Sequence, residues 1–525
     1  MFEAPTLDTL WGYNLSIALP AIWLASSVLI VLLIDLFTGE ERKHWTPLAA
    51  LAAIVIAFVL QMLNFAPEET TAFGGMFAAD AFTSILSIVA LGTAFLAILL
   101  SGDYLKKANI AHGEFYALLL LTTSGAMFMA SANNLIVMFV ALELLSIPLY
   151  ILAAFRATDP EHISRKSGLK SVGDIDASIL KSEESGMKYF ILGAFSSAFF
   201  VYGAAFIYGA TGTTNLQEIF AAVQSSVIGD QSATFLLLAG AGMAVVGLGF
   251  KVAAVPFHMW TPDVYEGAPT PITAYMSVAA KVGGFGALLR LMITGLQHAT
   301  VSADVNVAAW VITIQVIAAA TLIIGNVVAI SQANVKRMLA YSSIAHAGYI
   351  LMAVAAVGVT SAPDIATTAA QAVAVYLLAY MFTNIGAFAV VQAIENKDGS
   401  GTNLEDFAGL FNSKPLLAVA MTIFMLSLTG IPLTGGFFGK WLVFGAAVKA
   451  DLIILAVIGV LTSVISAFYY MRVVVKMFLR DDVEGNPAPG ATRSVTMAIY
   501  ASMAGVLITG IAVPLVTNLV NKISF

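Results

Sequence analysis

The centre of one apolar run reads FVALELLSIP, from Phe139 to Pro148, and the run itself extends from about 134 to 154. A helix needs about 20 apolar residues to cross the hydrocarbon core of a bilayer, and this run has that length. Its single charged residue is Glu143, near the middle. The stretch therefore predicts a transmembrane helix that carries an acid deep in the membrane.

The composition extends this prediction to the whole chain. Of 525 residues, 59% are hydrophobic and only 10% are charged, whereas a soluble domain carries about 25% charged residues. The formal net charge is −7, so no basic field exists to attract nucleic acid. These values exclude a soluble enzyme, a disordered chain and a nucleic-acid-binding protein. The predicted fold class is an all-α polytopic membrane protein.

Fourteen runs are long and apolar enough to span a bilayer. Their approximate bounds are 15–37, 46–64, 79–100, 114–131, 134–154, 187–209, 234–257, 270–296, 307–330, 338–358, 368–393, 415–448, 452–471 and 496–518. The twelfth is too long for one straight helix. The whole chain, 1–525, is therefore predicted to form a single membrane domain.

The positions of the basic residues predict which side of the membrane each loop faces. Of the 24 lysines and arginines, eighteen fall within, or at the edges of, loops that follow odd-numbered spans. Such a bias marks the cytoplasmic side, so both termini are expected on the outer side. No lysine or arginine precedes Arg42, which favours a true first span over a cleaved signal peptide.

Two further features of the sequence limit the kinds of site that the chain can contain. The chain has no cysteine, which excludes disulfides, cysteine-ligated iron–sulfur clusters and cysteine zinc sites within it. The longest polar stretch, from Arg156 to Ser185, is predicted to be a solvated loop on the cytoplasmic side. A docking surface for a peripheral partner is the alternative.

Few ionisable residues lie inside spans. Glu143 is the only acid at mid-span, and Lys251, Lys281, Lys440 and His346 also fall within apolar runs. A charge at the centre of a span costs about 2.5–3.5 kcal/mol on insertion scales, so such residues usually face a partner or a hydrated path. The alternative is a structural ion pair or a side chain that reaches the interface.

Prolines mark two of these positions. A proline at position i cannot bond to the carbonyl at i−4. Pro148 therefore frees the carbonyl of Leu144, beside Glu143, and Pro256 frees that of Val252, beside Lys251. A freed carbonyl in a membrane needs water or a polar partner. Both sites are predicted to be hydrated or linked by hydrogen bonds.

The seventh and twelfth spans are predicted to be broken. The stretch Gly430–Lys440 contains one proline and four glycines before its lysine, and the seventh span combines glycines with Lys251 and Pro256. These spans lie five helices apart and so cross in opposite directions, as an inverted repeat requires. A buried glutamate–lysine pair in these spans would have two states, one with the two side chains in contact and one with them apart. Separating it favours proton loss from the lysine and proton gain by the glutamate.

The stretch Lys251–Pro271 resembles the signature of the antiporter-like subunits of respiratory complex I. Supporting stretches are Glu184–Phe190, Lys336–His346 and Gly435–Lys440. Tyr265 and the Glu-Gly-Ala-Pro-Thr-Pro ending are closer to one subunit type of this family than to its two sisters. The resemblance covers nearly the whole chain.

The resemblance implies a membrane-arm subunit that translocates protons, with two inverted five-helix repeats. Spans one to three cover about 15–100, repeat one about 114–296, repeat two about 307–471 and the last span about 496–518. The implied proton path consists of Glu143, Lys251, Lys281 and Lys440. Supporting positions are His258, His346 and Lys188.

The resemblance also implies partners. NADH, flavin, iron–sulfur clusters and quinone are expected on other subunits, with no cofactor or metal in this chain. The chain is expected in a bacterial inner membrane, packed against other membrane-arm subunits. Two other functions stay open: a subunit of a cation/proton antiporter without redox chemistry, and a scaffold subunit whose path does not conduct.

Overall fold

The computed structural model describes residues 13–39, 43–158, 177–227, 230–297, 299, 309–359, 364–396, 399–480 and 490–524. Both ends of the chain, most of the loop that begins at Arg156, and several of the basic residues used for the orientation lie outside this part. Those basic residues are Arg42, Arg165, Lys166, Lys170 and Lys397.

Helices dominate the described residues. In the first half they are α1 Leu15–Phe37, α2 Trp45–Leu63, α3 Ala81–Lys107, α4 Glu114–Ser131, α5 Leu135–Ala153, α6 Ala177–Thr211, α7 Leu216–Ala222, α8 Gln231–Lys251, α9 Trp260–Gly267 and α10 Thr270–Arg290. In the second half they are α11 Trp310–Ile330, α12 Val335–Val357, α13 Asp364–Ile394, α14 Leu410–Ser413, α15 Pro415–Thr429, α16 Gly435–Lys449, α17 Ile453–Leu479, α18 Arg493–Ile511 and α19 Val513–Val520.

Short elements fill the connections. A small antiparallel hairpin pairs β1 Thr70–Ala72 with β2 Phe77–Ala79. Single turns of 3-10 helix follow α5 and precede α14, at Phe155–Thr158 and Leu404–Phe407. π-Helical turns extend α7 and α10, at Val223–Val227 and Leu291–Gly295.

Thirteen helices of the described chain are long and apolar enough to cross a membrane. The predicted twelfth span is occupied by the two shorter helices α15 and α16. Together these elements account for the fourteen predicted runs and confirm an all-α polytopic membrane fold. The interruption lies at residues 430–434, where Gly430 has a left-handed backbone with φ 92°.

Several helix ends differ from the predicted span bounds, and the largest difference is at the start of the sixth span. The sixth span was placed at 187–209, but α6 begins at Ala177. Lys181, which lies in the predicted polar loop 156–185, is therefore part of this helix. Charged residues hid this first part of the helix from a search for apolar runs. Ion pairs with α9, rather than apolar contacts with lipid, stabilise this first part of α6.

The core of the bundle lies around α10. Every residue of this helix is buried, and it packs against α3, α4 and α13. Helices α12 and α13 are also almost completely buried, whereas α1 and α2 expose much of their apolar surface. The lysine carried by α10 therefore lies at the centre of the protein.

A short backbone clasp joins the start of α5 to the chain that follows α6. Asn134 and Asn215 form an isolated antiparallel bridge. The Leu135 amide donates to the carbonyl of Thr214 at 2.9 Å, and the Asn134 side chain donates to the Thr214 hydroxyl at 2.9 Å. The same asparagine caps α5 by accepting from the amide of Ile136.

The second half of the chain contains the same clasp. Asn334 and Asn403 form an isolated bridge between the start of α12 and the chain that follows α13. The Val335 amide donates to the carbonyl of Thr402, and the Asn334 side chain donates to the Thr402 hydroxyl, both at 2.8 Å. A Thr-Asn-Leu sequence stands at both places.

A buried ion pair fixes α10 to α3. The Arg290 guanidinium donates to the carboxylate of Asp80 and to the hydroxyl of Thr83, each at 2.6 Å. It also donates to the carbonyl of Ala130 at 3.1 Å. Burial alone would raise the pKa of Asp80, but Arg290 and the Thr83 amide hold it below its ordinary value.

Candidate functional site

Lys251 stands at the end of α8, where the helix stops inside the protein. Residues 252–259 separate it from α9. The side chain is 2% exposed, and within the described chain its Nζ has no hydrogen-bond partner. Nζ lies 5.3 Å from the ring centre of Tyr189 and 5.7 Å from that of Tyr150. Ring faces attract a cation, which offsets part of the cost of burial.

Glu143 lies on α5 and is half-buried. Its Oε1 has no hydrogen-bond partner among the residues that the structure describes. It is the acid whose charge acts on Lys251, but no ion pair within 4.0 Å joins the two in the described chain. An orphaned buried oxygen is costly. The structure therefore shows no direct contact for the predicted Glu143–Lys251 pair.

Lys281 connects the centre of α10 to the break after α8. Its Nζ donates to the carbonyl of Val252 at 3.2 Å. This is the carbonyl beside Lys251 that Pro256 leaves without a helical donor. The polar partner predicted for that carbonyl is therefore a second lysine of the candidate path.

Lys440 repeats this arrangement at the other broken span. Its Nζ donates to the carbonyls of Leu428 and Thr429 at 3.0 and 2.9 Å, and to the Ser463 hydroxyl at 2.9 Å. The carbonyl of Leu428 stands four residues before Pro432, so it too lacks a helical donor. At both breaks a buried lysine is bonded to a carbonyl that a proline has freed.

His346 lies on α12, and its ring is held by tyrosines. Its Nδ1 is 2.6 Å from the hydroxyl of Tyr376, and its Nε2 is 3.2 Å from that of Tyr470. The Tyr470 hydroxyl also bonds to Ser342 at 2.5 Å. Since both ring nitrogens have hydroxyl partners, which can donate or accept, the ring can hold a proton on either side.

A small cavity adjoins His346. Its volume is about 10 Å³, and its lining includes His346, Tyr376, Tyr380, Thr383, Ser427 and Gly436. This is about the space that one water needs. The Tyr380 hydroxyl has no hydrogen-bond partner in the described chain. The cavity therefore suits a water molecule between His346 and the start of α16.

Buried polar side chains fill the gap between α10 and the second broken span. The Asn384 amide donates to the Ser277 hydroxyl, one turn before Lys281. On the preceding residue of α13, the Thr383 hydroxyl bonds to that of Ser427 at 2.9 Å. Ser427 in turn accepts from the amide of Gly436. A row of buried polar groups thus extends from the helix that carries Lys281 to the helix that carries Lys440.

The other two predicted supporting residues lie in the break after α8 and at the surface. His258 is half-buried in the chain between α8 and α9, and its Nδ1 has no hydrogen-bond partner among the described residues. Lys188 is 40% exposed and pairs with Glu184 and Asp263, each at 2.5 Å. Asp263 also pairs with Arg337 at 2.6 Å. The structure therefore places Lys188 in a surface ion-pair network.

This surface network predicts a pH dependence. Burial raises the pKa of Asp263, but hydrogen bonds from Lys188 and Arg337 hold it below its ordinary range. Its contribution to stability should be complete above the ordinary value, about 3.9, and be lost as the pH falls through the lowered value. The check is the thermal midpoint of wild type and Asp263→Asn between pH 7 and acid. The difference should vanish in acid. A constant difference would contradict this linkage.

Sequence reasoning missed a buried polar cluster around Glu395. This side chain is 2% exposed and accepts from the hydroxyls of Thr270 and Tyr104. It pairs with Arg156 at 3.4 Å. Lys336, which lies just before the predicted tenth span at 338–358, is buried nearby and donates to the carbonyl of Ala268 at 2.9 Å. The available signal was an acid just past the predicted end of the eleventh span.

Known proteins share this architecture and sequence. Residues 175–466 match the family model for the transmembrane part of NADH:quinone oxidoreductases and Mrp antiporters. The chain is 41% identical to NADH-quinone oxidoreductase subunit N of Chloroflexus aggregans, with 97% of each chain covered. It is also 41% identical to the same subunit of Trichlorobacter lovleyi, over 95% of this chain and 94% of that protein.

Solved structures agree with the sequence matches. A chain of respiratory complex I from Thermus thermophilus with bound aureothin is 33% identical, with a TM-score of 0.73 over 94% of this chain and 98% of that one. A chain of the Mrp complex from Dietzia sp. is 21% identical, with a TM-score of 0.73 over 96% of each chain. The second similarity shows the fold alone. From its identity over nearly the whole length, the chain belongs to the family of antiporter-like membrane subunits of NADH-quinone oxidoreductase, in its subunit N branch.

Proposed function

We propose that the chain translocates protons across the membrane, coupled to electron transfer from NADH to quinone on other subunits of a respiratory complex I. The observation that carries this is the set of three buried lysines. Lys251, Lys281 and Lys440 lie within spans and make no ion pair with any described residue. Unpaired cations are costly in a membrane and mark ion paths. The proton path consists of these lysines and Glu143.

The lysine contacts suggest how a proton is held along this path. Val252 and Leu428 present carbonyl oxygens to Lys281 and Lys440, and a carbonyl stabilises an ammonium that donates to it. Lys251 has ring faces rather than an acceptor. An approach of Glu143 favours the charged form of Lys251, and separation favours release of its proton. Movement of this one pair would thus load and unload the path.

His346 is proposed as the intermediate carrier. Hydroxyl partners on both ring nitrogens let it accept a proton on one side and release it on the other. The adjoining cavity leads toward the start of α16, which carries Lys440. His258 is proposed as a polar group at the first break. Lys188 supports the start of α6 from the surface rather than the path itself.

The chain is proposed to contain two inverted five-helix repeats. The repeats cover about 114–296 and 307–471, with three spans before them and one after. The duplicated clasp supports this division, because it joins the start of the second span of each repeat to the chain after the third. Freed carbonyls bonded to lysine at both breaks support it further.

The proposal extends to the surroundings of the chain. Subunit N relatives are named for an oxidoreductase, so flavin, iron–sulfur clusters and the NADH and quinone sites are assigned to partner subunits, with no redox centre here. Other membrane-arm subunits are the expected partners. The basic residues of the odd loops support a bacterial inner-membrane orientation with both termini outside.

The test is proton pumping by the purified complex that contains the chain, reconstituted into vesicles. Lys251→Met and Glu143→Gln should each lower the protons moved per NADH oxidised several-fold while the complex remains assembled. Lys449→Met, an exposed lysine at the end of α16, is the matched control and should leave pumping unchanged.

Other outcomes separate the alternatives. Normal pumping in both variants would contradict the assigned pair. Normal pumping after replacement of Glu143, Lys251, Lys281 and Lys440 together would indicate a scaffold subunit. Sodium or potassium exchange by an assembly without flavin or iron–sulfur subunits would indicate a cation/proton antiporter.

A further inference from the structure

Glu395 lies where the ends of several helices meet. It directly follows α13, and its carboxylate accepts from the hydroxyls of Thr270, the first residue of α10, and Tyr104, in the last turn of α3. Its ion-pair partner Arg156 follows the end of α5 and is also buried. One buried carboxylate therefore joins the ends of α3, α5 and α13 to the start of α10.

Basic side chains of the described chain lie around this carboxylate. The Arg156 Nη1 is 3.4 Å from Oε1, which is longer than the roughly 2.7–2.9 Å of a strong charge-assisted bond. The Lys107 Nζ donates to the backbone carbonyl of Glu395 at 2.6 Å, and Lys107 itself is exposed. Lys336, at the start of α12, lies close enough for the charge of Glu395 to act on it. A loosely paired carboxylate beside an exposed lysine is well placed to exchange a proton with solvent.

A row of polar side chains on α10 begins at this carboxylate. Four polar residues of the helix are spaced by three, four and four positions: Thr270, Thr273, Ser277 and Lys281. Residues at this spacing lie on one face of a helix. Since a helix rises about 1.5 Å per residue, the row covers about 16 Å. It therefore connects Glu395 to the lysine at the centre of the protein.

Two buried amide oxygens of α13 lie near the ends of this row. One is the Oδ1 of Asn384, whose amide donates to Ser277, and the other is the Oε1 of Gln392, three residues before Glu395. Neither oxygen has a hydrogen-bond partner among the described residues. A buried acceptor without a donor costs free energy, and buried water commonly supplies the missing bond. Both ends of the row therefore suit water molecules, which can pass protons between polar side chains.

We propose that Glu395 is the residue through which protons enter the path, an inference that rests on the proposed function and orientation. The ends of α3, α5 and α13 and the starts of α10 and α12 all adjoin odd loops, which the basic residues assign to the cytoplasm.

The entry step moves one proton. As the contact with Arg156 lengthens, the Glu395 carboxylate takes a proton from a hydronium ion of the cytoplasmic water and leaves a water molecule. The carboxylic acid then passes this proton along the row on α10 to the neutral amine of Lys281, which becomes an ammonium. Glu395 returns to its pair with Arg156 as a carboxylate.

The test measures NADH oxidation by the complete complex in vesicles, with an uncoupler present throughout. Glu395→Gln should slow turnover several-fold, and the loss should grow as the pH rises, because protons become scarcer. Formic acid, a small weak acid, should restore turnover because it can deliver a proton to the buried row. Glu395→Asp keeps an acid and should keep most of the turnover. A loss caused only by altered packing would not respond to formic acid.

Two further variants control for misfolding and for charge. The double variant Arg156→Gln/Glu395→Gln removes both members of the buried pair, so that neither is left as an uncompensated charge. It should show the same slow turnover with the same recovery in formic acid. Glu114→Gln, at an exposed acid at the start of α4, should leave turnover unchanged.

The outcomes separate this inference from the proposed function. Normal turnover in Glu395→Gln, or a loss that formic acid does not restore, would overturn the role of Glu395. If Lys251→Met still loses pumping in that case, the proposed function stands without this entry residue. If Lys251→Met also pumps normally, the proposed function fails as well.

Discussion

Replacing Arg290 by methionine should destabilise the protein by about 3–5 kcal/mol, which is the usual cost of leaving one member of a buried ion pair without its partner. Asp80 would remain with its carboxylate in a buried site. The Thr83 hydroxyl and the carbonyl of Ala130 would lose the guanidinium donors that they now share. Thermal unfolding of the purified complex, followed by release of this chain, measures the loss.

A surface ion pair supplies the control. Lys476 pairs with Glu405 at 2.5 Å, but the Glu405 side chain is 70% exposed. Exposed pairs contribute about 0–1 kcal/mol, so Lys476→Met should shift the midpoint little. Equal shifts in Arg290→Met and Lys476→Met would show that the buried pair does not hold α10 against α3.

Adding a single methyl group at Gly125 should displace Glu143. Gly125 lies on α4 where that helix touches α5, and a Cβ there would overlap the backbone nitrogen of Leu145. Backbone cannot yield as a flexible side chain can, so α5 must move away. Overpacking of this kind costs about 1–3 kcal/mol. Because Glu143 lies two residues before Leu145, Gly125→Ala should also lower proton pumping.

The matched control is Gly445→Ala on α16. A Cβ at Gly445 would meet no heavy atom within 4 Å. Alanine favours a helix interior over glycine by about 1 kcal/mol, so this variant should be as stable as wild type or slightly more stable. Unchanged pumping and stability in Gly125→Ala would show that the position of α5 does not depend on this contact.

Much of the fold could be predicted because membranes impose one strong rule. Apolar runs of spanning length gave thirteen helices, and the excessive length of the twelfth run indicated the two helices α15 and α16. The rule fails where a helix leaves the bilayer. Helix α6 extends through Lys181 and Lys188, and these residues are stabilised by ion pairs with α9 that no local pattern reveals.

The candidate site could also be predicted in part. Proline and lysine positions indicated a polar partner for the carbonyl of Val252, and Lys281 occupies that place. The tyrosines around Lys251 and His346 could not be predicted, because each comes from a distant helix and is an ordinary apolar residue in the sequence. Glu395 was missed for the same reason, since its partners Tyr104 and Arg156 are more than two hundred residues away.

The duplicated clasp makes the two halves of the chain experimental controls for each other. Asn134 and Asn334 begin candidate spans that lie five crossings apart, so in the proposed inverted repeat the two clasps face opposite compartments. A reagent that cannot cross the membrane would reach one clasp from one side only. Asn134→Ala and Asn334→Ala remove the same bonds in matching places. Any difference between these two variants then measures what the two halves do differently, within one polypeptide.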